Sequence, residues 1–186
     1  MNAKTSQYKF ILLALLCFAA GLHAQEMSFE EYNPTSTLVV PGAEIERAKF
    51  PFVDVHSHQR DMSVSRLGEL VAEMDALNEG VMVNLSGGSG ESLQTKIDNI
   101  NKSYPNRFVV FANVDFDGVG KPGWGEQAAA QLETDIKYGA KGLKIYKSLG
   151  LRYKDADGNR VAIDDERLDP IWAKCAEMGV PVLIHA

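Results

Sequence analysis

The sequence predicts an α/β fold: a parallel (β/α)8 barrel of the TIM type, truncated after about five strands. Three observations predict it. Strand patterns alternate with amphipathic helix patterns from Phe50 onward, each strand pattern has one aliphatic face and one polar face, and the chain stops one residue after His185. Helical connections between successive strands are right-handed crossovers, which makes the strands parallel. An open sheet covered by helices on both sides is apolar on both faces. A barrel instead has its polar mouth at the C-terminal ends of its strands. Closure takes eight strands and typically about 250 residues, so a chain ending with its fifth strand is expected to be the front part of such a barrel.

Residues 1–24 read as a secretory signal peptide: Lys4 and Lys9 lead, Phe10 to Leu22 carries no charge, and Ala24 is placed for cleavage before Gln25. The apolar run, about 13 residues, is short of the roughly 20 that span a bilayer. A lipid anchor on Cys17 would want small residues before it, where Leu15 and Leu16 stand. The expectation is a secreted, periplasmic protein without membrane association once cleaved. The mature chain would keep one cysteine, Cys175, and three histidines, His56, His58 and His185. No internal disulfide is then possible.

Residues 25–49 form a polar lead-in interrupted by Pro34 and Pro41. The barrel portion, 50–186, follows. Strands are expected at Phe52–His58, Val81–Ser86, Phe108–Asp115, Gly142–Ser148 and Val180–His185. Leu67, Leu70, Val71, Met74 and Leu77 share a helix face ended by Gly80, and Leu93, Ile97, Ile100 and Tyr104 share another stopped by Pro105. Ala129, Leu132 and Ile136 mark a third helix before Gly139. Asp169 and Pro170 read as the cap and first residue of a fourth, which ends at Gly179. The aliphatic strand faces are Val53 and Val55; Val81, Val83 and Leu85; Leu143 and Ile145; Val182 and Ile184.

Composition excludes some partners. With 45% hydrophobic and 24% charged residues the chain is an ordinary globular one, and its net charge of −6 without a Lys/Arg cluster argues against nucleic acid. A small-molecule substrate is expected, with a homo-oligomer an open possibility for the full-length protein.

Asp54-Val-His56-Ser-His58 ends the first strand, and alternation sends both imidazoles to one side of it. Two imidazoles so placed suit a borderline divalent metal such as zinc. His185 repeats the placement at the end of the fifth strand, so every mature histidine stands at a strand end. Phe52-Val-Asp-Val-His-Ser-His58, Gly142-Leu-Lys-Ile-Tyr146 and Val182-Leu-Ile-His185 resemble the amidohydrolase superfamily, most closely its amidohydrolase-2 branch, over Lys49 to Ala186. The resemblance implies that His56, His58 and His185 bind a catalytic metal, zinc first, with manganese or iron(II) as alternatives. It also implies a sixth-strand histidine and an eighth-strand aspartate that acts as proton acceptor, both beyond Ala186. No catalytic residue is therefore assigned within the chain, and the chain as given is expected to be inactive. Three protein ligands would leave a position for water, which zinc activates near neutral pH.

Lys144 faces the mouth by parity, either to bridge two metals in carboxylated form, to contact substrate, or to pair with Asp54 or Asp115. Asp54 is expected to orient the site rather than to ligate. Asn84, Asn113, Asp115 and Tyr146 form the expected substrate rim. Asp155 to Glu166 faintly resembles a calcium loop, but Arg160 occupies the turn position that needs glycine, so a hairpin turn is expected. Ser86-Gly-Gly-Ser-Gly90 reads as a flexible rim loop. The expected activity is metal-dependent hydrolysis of a C–N or C–O bond at a carbonyl carbon. The alternatives are a metal-dependent decarboxylase of the same superfamily and, in a different class, a non-catalytic fragment or binding module.

Overall fold

A computed structural model describes residues 28–39, 42 and 45–185. The signal-peptide reading of residues 1–24 lies outside them. The chain divides into two units, Met1–Ala43 and Glu44–Ala186. Among its described residues the first carries one 3-10 turn, Phe29–Glu31, whose last amide donates to Ser28.

The second unit alternates strand and helix throughout. Its strands are β1 (Phe52–Ser57), β2 (Glu79–Asn84), β3 (Phe108–Val110), β4 (Leu143–Ile145) and β5 (Val182–Ile184). Its helices are α1 (Val64–Leu77), α2 (Gly90–Ser103), α3 (Trp124–Tyr138) and α4 (Asp169–Met178). β1 pairs with β2, β2 with β3, and β4 with β5, all parallel. A bridge from Ala112 to Leu143 joins the two groups, with the Ala112 amide donating to Gly142 at 2.8 Å and the Lys144 amide to Ala112 at 2.9 Å. The strands therefore run 1-2-3-4-5 in chain order. A doubly wound sheet reverses its order at a switch point; a sequential order is what a TIM-like barrel requires. β1 and β5 do not pair with each other, so there is no closed barrel among the described residues.

The helices form where the apolar spacing places them, burying Leu67, Leu70, Val71 and Met74 of α1, Leu93, Ile97 and Ile100 of α2, Ala129 and Leu132 of α3, and Ile171 and Cys175 of α4. Their ends differ in detail. α1 stops at Asn78, not Gly80. Asn78 adopts a left-handed φ of 66°, and its amide reaches back to Met74 and Asp75. Its side-chain amide also donates to Ala48 at 3.0 Å. Gly80 is instead a residue of β2, at a slip in register with β1. α4 is capped by Leu168, with Asp169 already helical. Strands β3 to β5 are shorter than expected; beyond β3 the Asn113 side chain donates to the carbonyls of Leu85 and Lys144.

The outward aliphatic face is sealed on β4, where Leu143 and Ile145 are buried, but not on β1, where Val53 and Val55 are 53% and 61% exposed. The aliphatic side of β1, an edge strand of the arc, is thus left uncovered among the described residues. The 155–160 segment is a hairpin: Lys154 bridges Arg160 antiparallel, and Asp155 accepts the amides of Asp157 and Asn159.

The glycine segment 86–90 is anchored, contrary to the expectation of a flexible rim loop. A Cβ on Gly87 would lie 2.2 Å from the Phe111 carbonyl oxygen. The Gly88 amide donates to Asn113 and the Gly90 amide to Asp135, while Lys96 donates to the carbonyls of Ser86 and Gly87.

Candidate functional site

The strand ends bring His56 near both of the other histidines. His56 lies in β1 at a register slip between Asp54 and Ser57. The slip takes the His56 amide out of the ladder, and the Asp54 carboxylate accepts it at 2.9 Å. Bulges of this kind re-aim side chains at active sites. Asp54 so fixes the backbone that carries His56 and makes no contact with its ring among the described hydrogen bonds. The His56 and His58 rings stand 5.1 Å apart, centre to centre.

His185 follows β5, its amide extending the ladder to the Ile145 carbonyl at 3.0 Å. Its ring lies 6.4 Å from that of His56. In a flat sheet four strand spacings would part β1 from β5 by roughly 19 Å. Two imidazoles cannot span that gap, so the arc is strongly curled about the histidines.

His58 is held by a chain of hydroxyls. Its Nδ1 lies 3.0 Å from Ser86 Oγ, which lies 2.8 Å from the Tyr146 hydroxyl, which donates to the Leu85 carbonyl at 2.9 Å. A tyrosine has one proton and a carbonyl none. With the Tyr146 proton on Leu85, Ser86 donates to Tyr146 and accepts from His58. His58 then carries its proton on Nδ1 and keeps a lone pair on Nε2 for the cavity. Desolvation lowers the proton affinity of His58 below the ordinary histidine value, and the charges of His56, Lys144, His185 and Arg60 lower it further. A neutral imidazole is the form that binds metal.

Lys144 is 1% exposed and its ammonium has no hydrogen-bond partner among the described residues. Burial holds its proton affinity below the usual lysine range. Pairing with Asp54 or Asp115 is not observed among the described residues.

Of the expected rim, Tyr146 alone lines the cavity beside the histidines. Asn84 is fully buried; its side chain accepts the amides of Gln59 and Ser86 and donates to the Gln59 carbonyl. Asn113 likewise serves the backbone, and Asp115 lines a separate depression with Trp124 and Gln131. Arg60, Lys147 and Arg152, which the sequence reading does not single out, also line the cavity, with Ser86 of the rim segment. Position just after a strand was the available signal for Arg60 and Lys147.

Among the described residues no three His, Cys, Asp or Glu side chains are close enough to hold a metal. The donor chemistry nonetheless fits. Two imidazoles at about 2.0–2.1 Å from one zinc have ring centres roughly 5 Å apart, as His56 and His58 do. His185 is wider by about an ångström than such a pair.

No curated protein matches the chain. No helix among the described residues is long and apolar enough to cross a membrane. The sequence model of a family described as Amidohydrolase matches residues 53–186, from the second residue of β1 past His185. That span holds the five strands but for the first residue of β1, and most of the chain, so this protein belongs to the amidohydrolase family, typically metal-dependent hydrolases and decarboxylases of small molecules.

Proposed function

We propose that the chain is a metal-dependent hydrolase cleaving a C–N or C–O bond at a carbonyl carbon. The observation that supports it is the nearness of His56 to both His58 and His185, whose ring centres lie 5.1 Å and 6.4 Å away, from opposite ends of a five-strand arc. In this reading those three residues hold one divalent ion, zinc in first place. When bound, such an ion supplies a hydroxide near neutral pH and polarises the carbonyl under attack. The chain's own residues do the positioning. Asp54 fixes the backbone of His56, and Ser86 with Tyr146 sets the ring of His58. Lys144, a buried ammonium without a partner beside this group, is assigned to an anionic group of the substrate.

That same ammonium favours decarboxylation as a second reading, since a carboxylate would satisfy it. Product analysis separates the two: carbon dioxide release marks the lyase, a new carboxylate or amine the hydrolase.

We also propose export to the periplasm, on the Lys4, Lys9 and Phe10–Leu22 pattern. Cys175 suits that compartment, because burial pushes its thiol up to about 11 and leaves it unreactive.

The test is elemental analysis of purified protein. About one ion per chain is expected, lost in the His56→Ala, His58→Ala double variant. An unchanged metal content in that variant overturns the assignment.

A further inference from the structure

We propose that Lys96 of α2 is a positioning residue for the histidine site, acting through Ser86 on the ring of His58. Its ammonium donates to the Ser86 carbonyl at 3.0 Å and to the Gly87 carbonyl at 2.9 Å. Ser86 is the residue whose hydroxyl meets His58 Nδ1 at 3.0 Å. The inference deepens the proposed function and rests on it only for the metal that His58 would hold. The grip on the ring belongs to the chain itself.

Two consecutive carbonyls rarely converge on one donor. Along an extended strand they point alternately to opposite sides, each toward a different neighbour. Just past β2 that pattern is broken, and the Ser86 and Gly87 oxygens turn to the same ammonium. Among the described residues no backbone amide donates to either oxygen. Their partial negative charges crowd together, and a cation between them removes the repulsion. Lysine suits the place, because its ammonium has three N–H donors and its charge strengthens each bond. Lys96 is half-buried, and these two carbonyls are the only hydrogen-bond partners of its ammonium among the described residues.

The backbone of Ser86 is thereby held from both sides. Its amide donates to the Asn84 side chain at 2.9 Å, and its carbonyl accepts from Lys96. With both peptide planes fixed, the Cα–Cβ bond has one direction, and Oγ reaches His58 and Tyr146 together. The other anchors lie further along, from Gly88 to Asn113 and from Gly90 to Asp135. Gly87 has no side chain to fix the plane that it shares with Ser86. Removing the ammonium leaves two carbonyls without a donor. The segment regains partners by turning those oxygens to water, which carries the Ser86 hydroxyl off the ring.

The experiment reads the His58 ring nitrogens by ¹⁵N NMR in the full chain, stripped of metal. Lys96→Met keeps the apolar stem and removes the donors; it should move the His58 shifts toward a mixture of tautomers and leave those of His185 in place. Lys96→Arg, which again offers two N–H groups, should restore them. Lys102→Met, on the exposed last turn of the same helix, should change nothing. In a Ser86→Ala background Lys96→Met should add no further shift, because the route runs through that hydroxyl. If Lys96→Met fails to fold, Lys96→Gln carries the same prediction at smaller size, with one donor group in place of the ammonium. Zinc is added last, and Lys96→Met should bind it about tenfold more weakly. Unaltered His58 shifts without the ammonium, or a full further shift in the Ser86→Ala background, overturn the inference. An unsubstituted protein that takes up no zinc overturns the metal reading alone, since the shifts are recorded before any metal is present.

Discussion

Tyr146 has one proton to give, and the Leu85 carbonyl takes it. Everything upstream in that chain of hydroxyls follows, down to which nitrogen of His58 is free. Tyr146→Phe and Ser86→Ala should therefore loosen the tautomer of His58, seen as a change in its ring ¹⁵N shifts, and weaken metal binding about 10- to 100-fold. Unaltered shifts in both variants would remove Ser86 and Tyr146 from the site. A second residue-scale consequence concerns Gly142, where a Cβ would meet the Phe111 ring at 2.5 Å. Gly142→Ala should cost about 1–3 kcal/mol by overpacking, measurable as a lower denaturation midpoint. The histidines were legible because alternation and strand-end position act on them directly. Asn84 and Asn113 were not. A polar side chain near a strand end reads the same whether it faces a substrate or caps a neighbouring backbone, and here both cap backbone. Arg60, Lys147 and Arg152 were hidden for another reason: which side chains line one cavity depends on contacts across the fold.

At the scale of elements, helix faces follow from spacing, while helix ends depend on which residue accepts an unusual backbone. Asn78 ends α1 because asparagine tolerates the left-handed region, and its side chain then ties down Ala48. Asn78→Gly should keep the turn and lose the tie, while Asn78→Val should lose both and be the less stable by about 1 kcal/mol or more. Equal unfolding midpoints would contradict this. Asp135 of α3 offers a pH test. It is fully buried and accepts the Gly90 amide at the start of α2, yet its second oxygen has no partner among the described residues. Burial raises its pKa above the ordinary aspartate value. A raised acid favours the folded state when protonated, so its contribution is present at low pH and is lost as pH rises through the folded value. Asp135→Asn keeps the accepting oxygen without the charge. It should stabilise the protein at neutral pH, with the difference shrinking toward acid; a difference that does not vary with pH would refute it.

For the molecule as a whole, the order of the strands carries more than their number. Sequential pairing and the curl needed to bring His185 to His56 are consistent with a partial TIM-barrel-like domain, the architecture that parity alone suggested. The bare aliphatic face of β1 was not foreseeable, because period-two patterning reports which side is apolar and not what covers it. Cys175 reports on the integrity of this whole. Buried in α4, it should resist thiol reagents in the native state and react only as the chain opens, so labelling should track global unfolding measured by circular dichroism. Rapid labelling in native buffer would show that α4 detaches on its own.

The placement of the histidines also sets an order of events. His56 and His58 lie in the first strand and His185 just after the fifth, so the three cannot meet until every intervening strand has docked. A nascent or partly folded chain can offer a loose pair of imidazoles but never the trio. On the proposed reading, metal capture by all three would wait for β5, and the rate at which the ion is taken up would report the arrival of that strand.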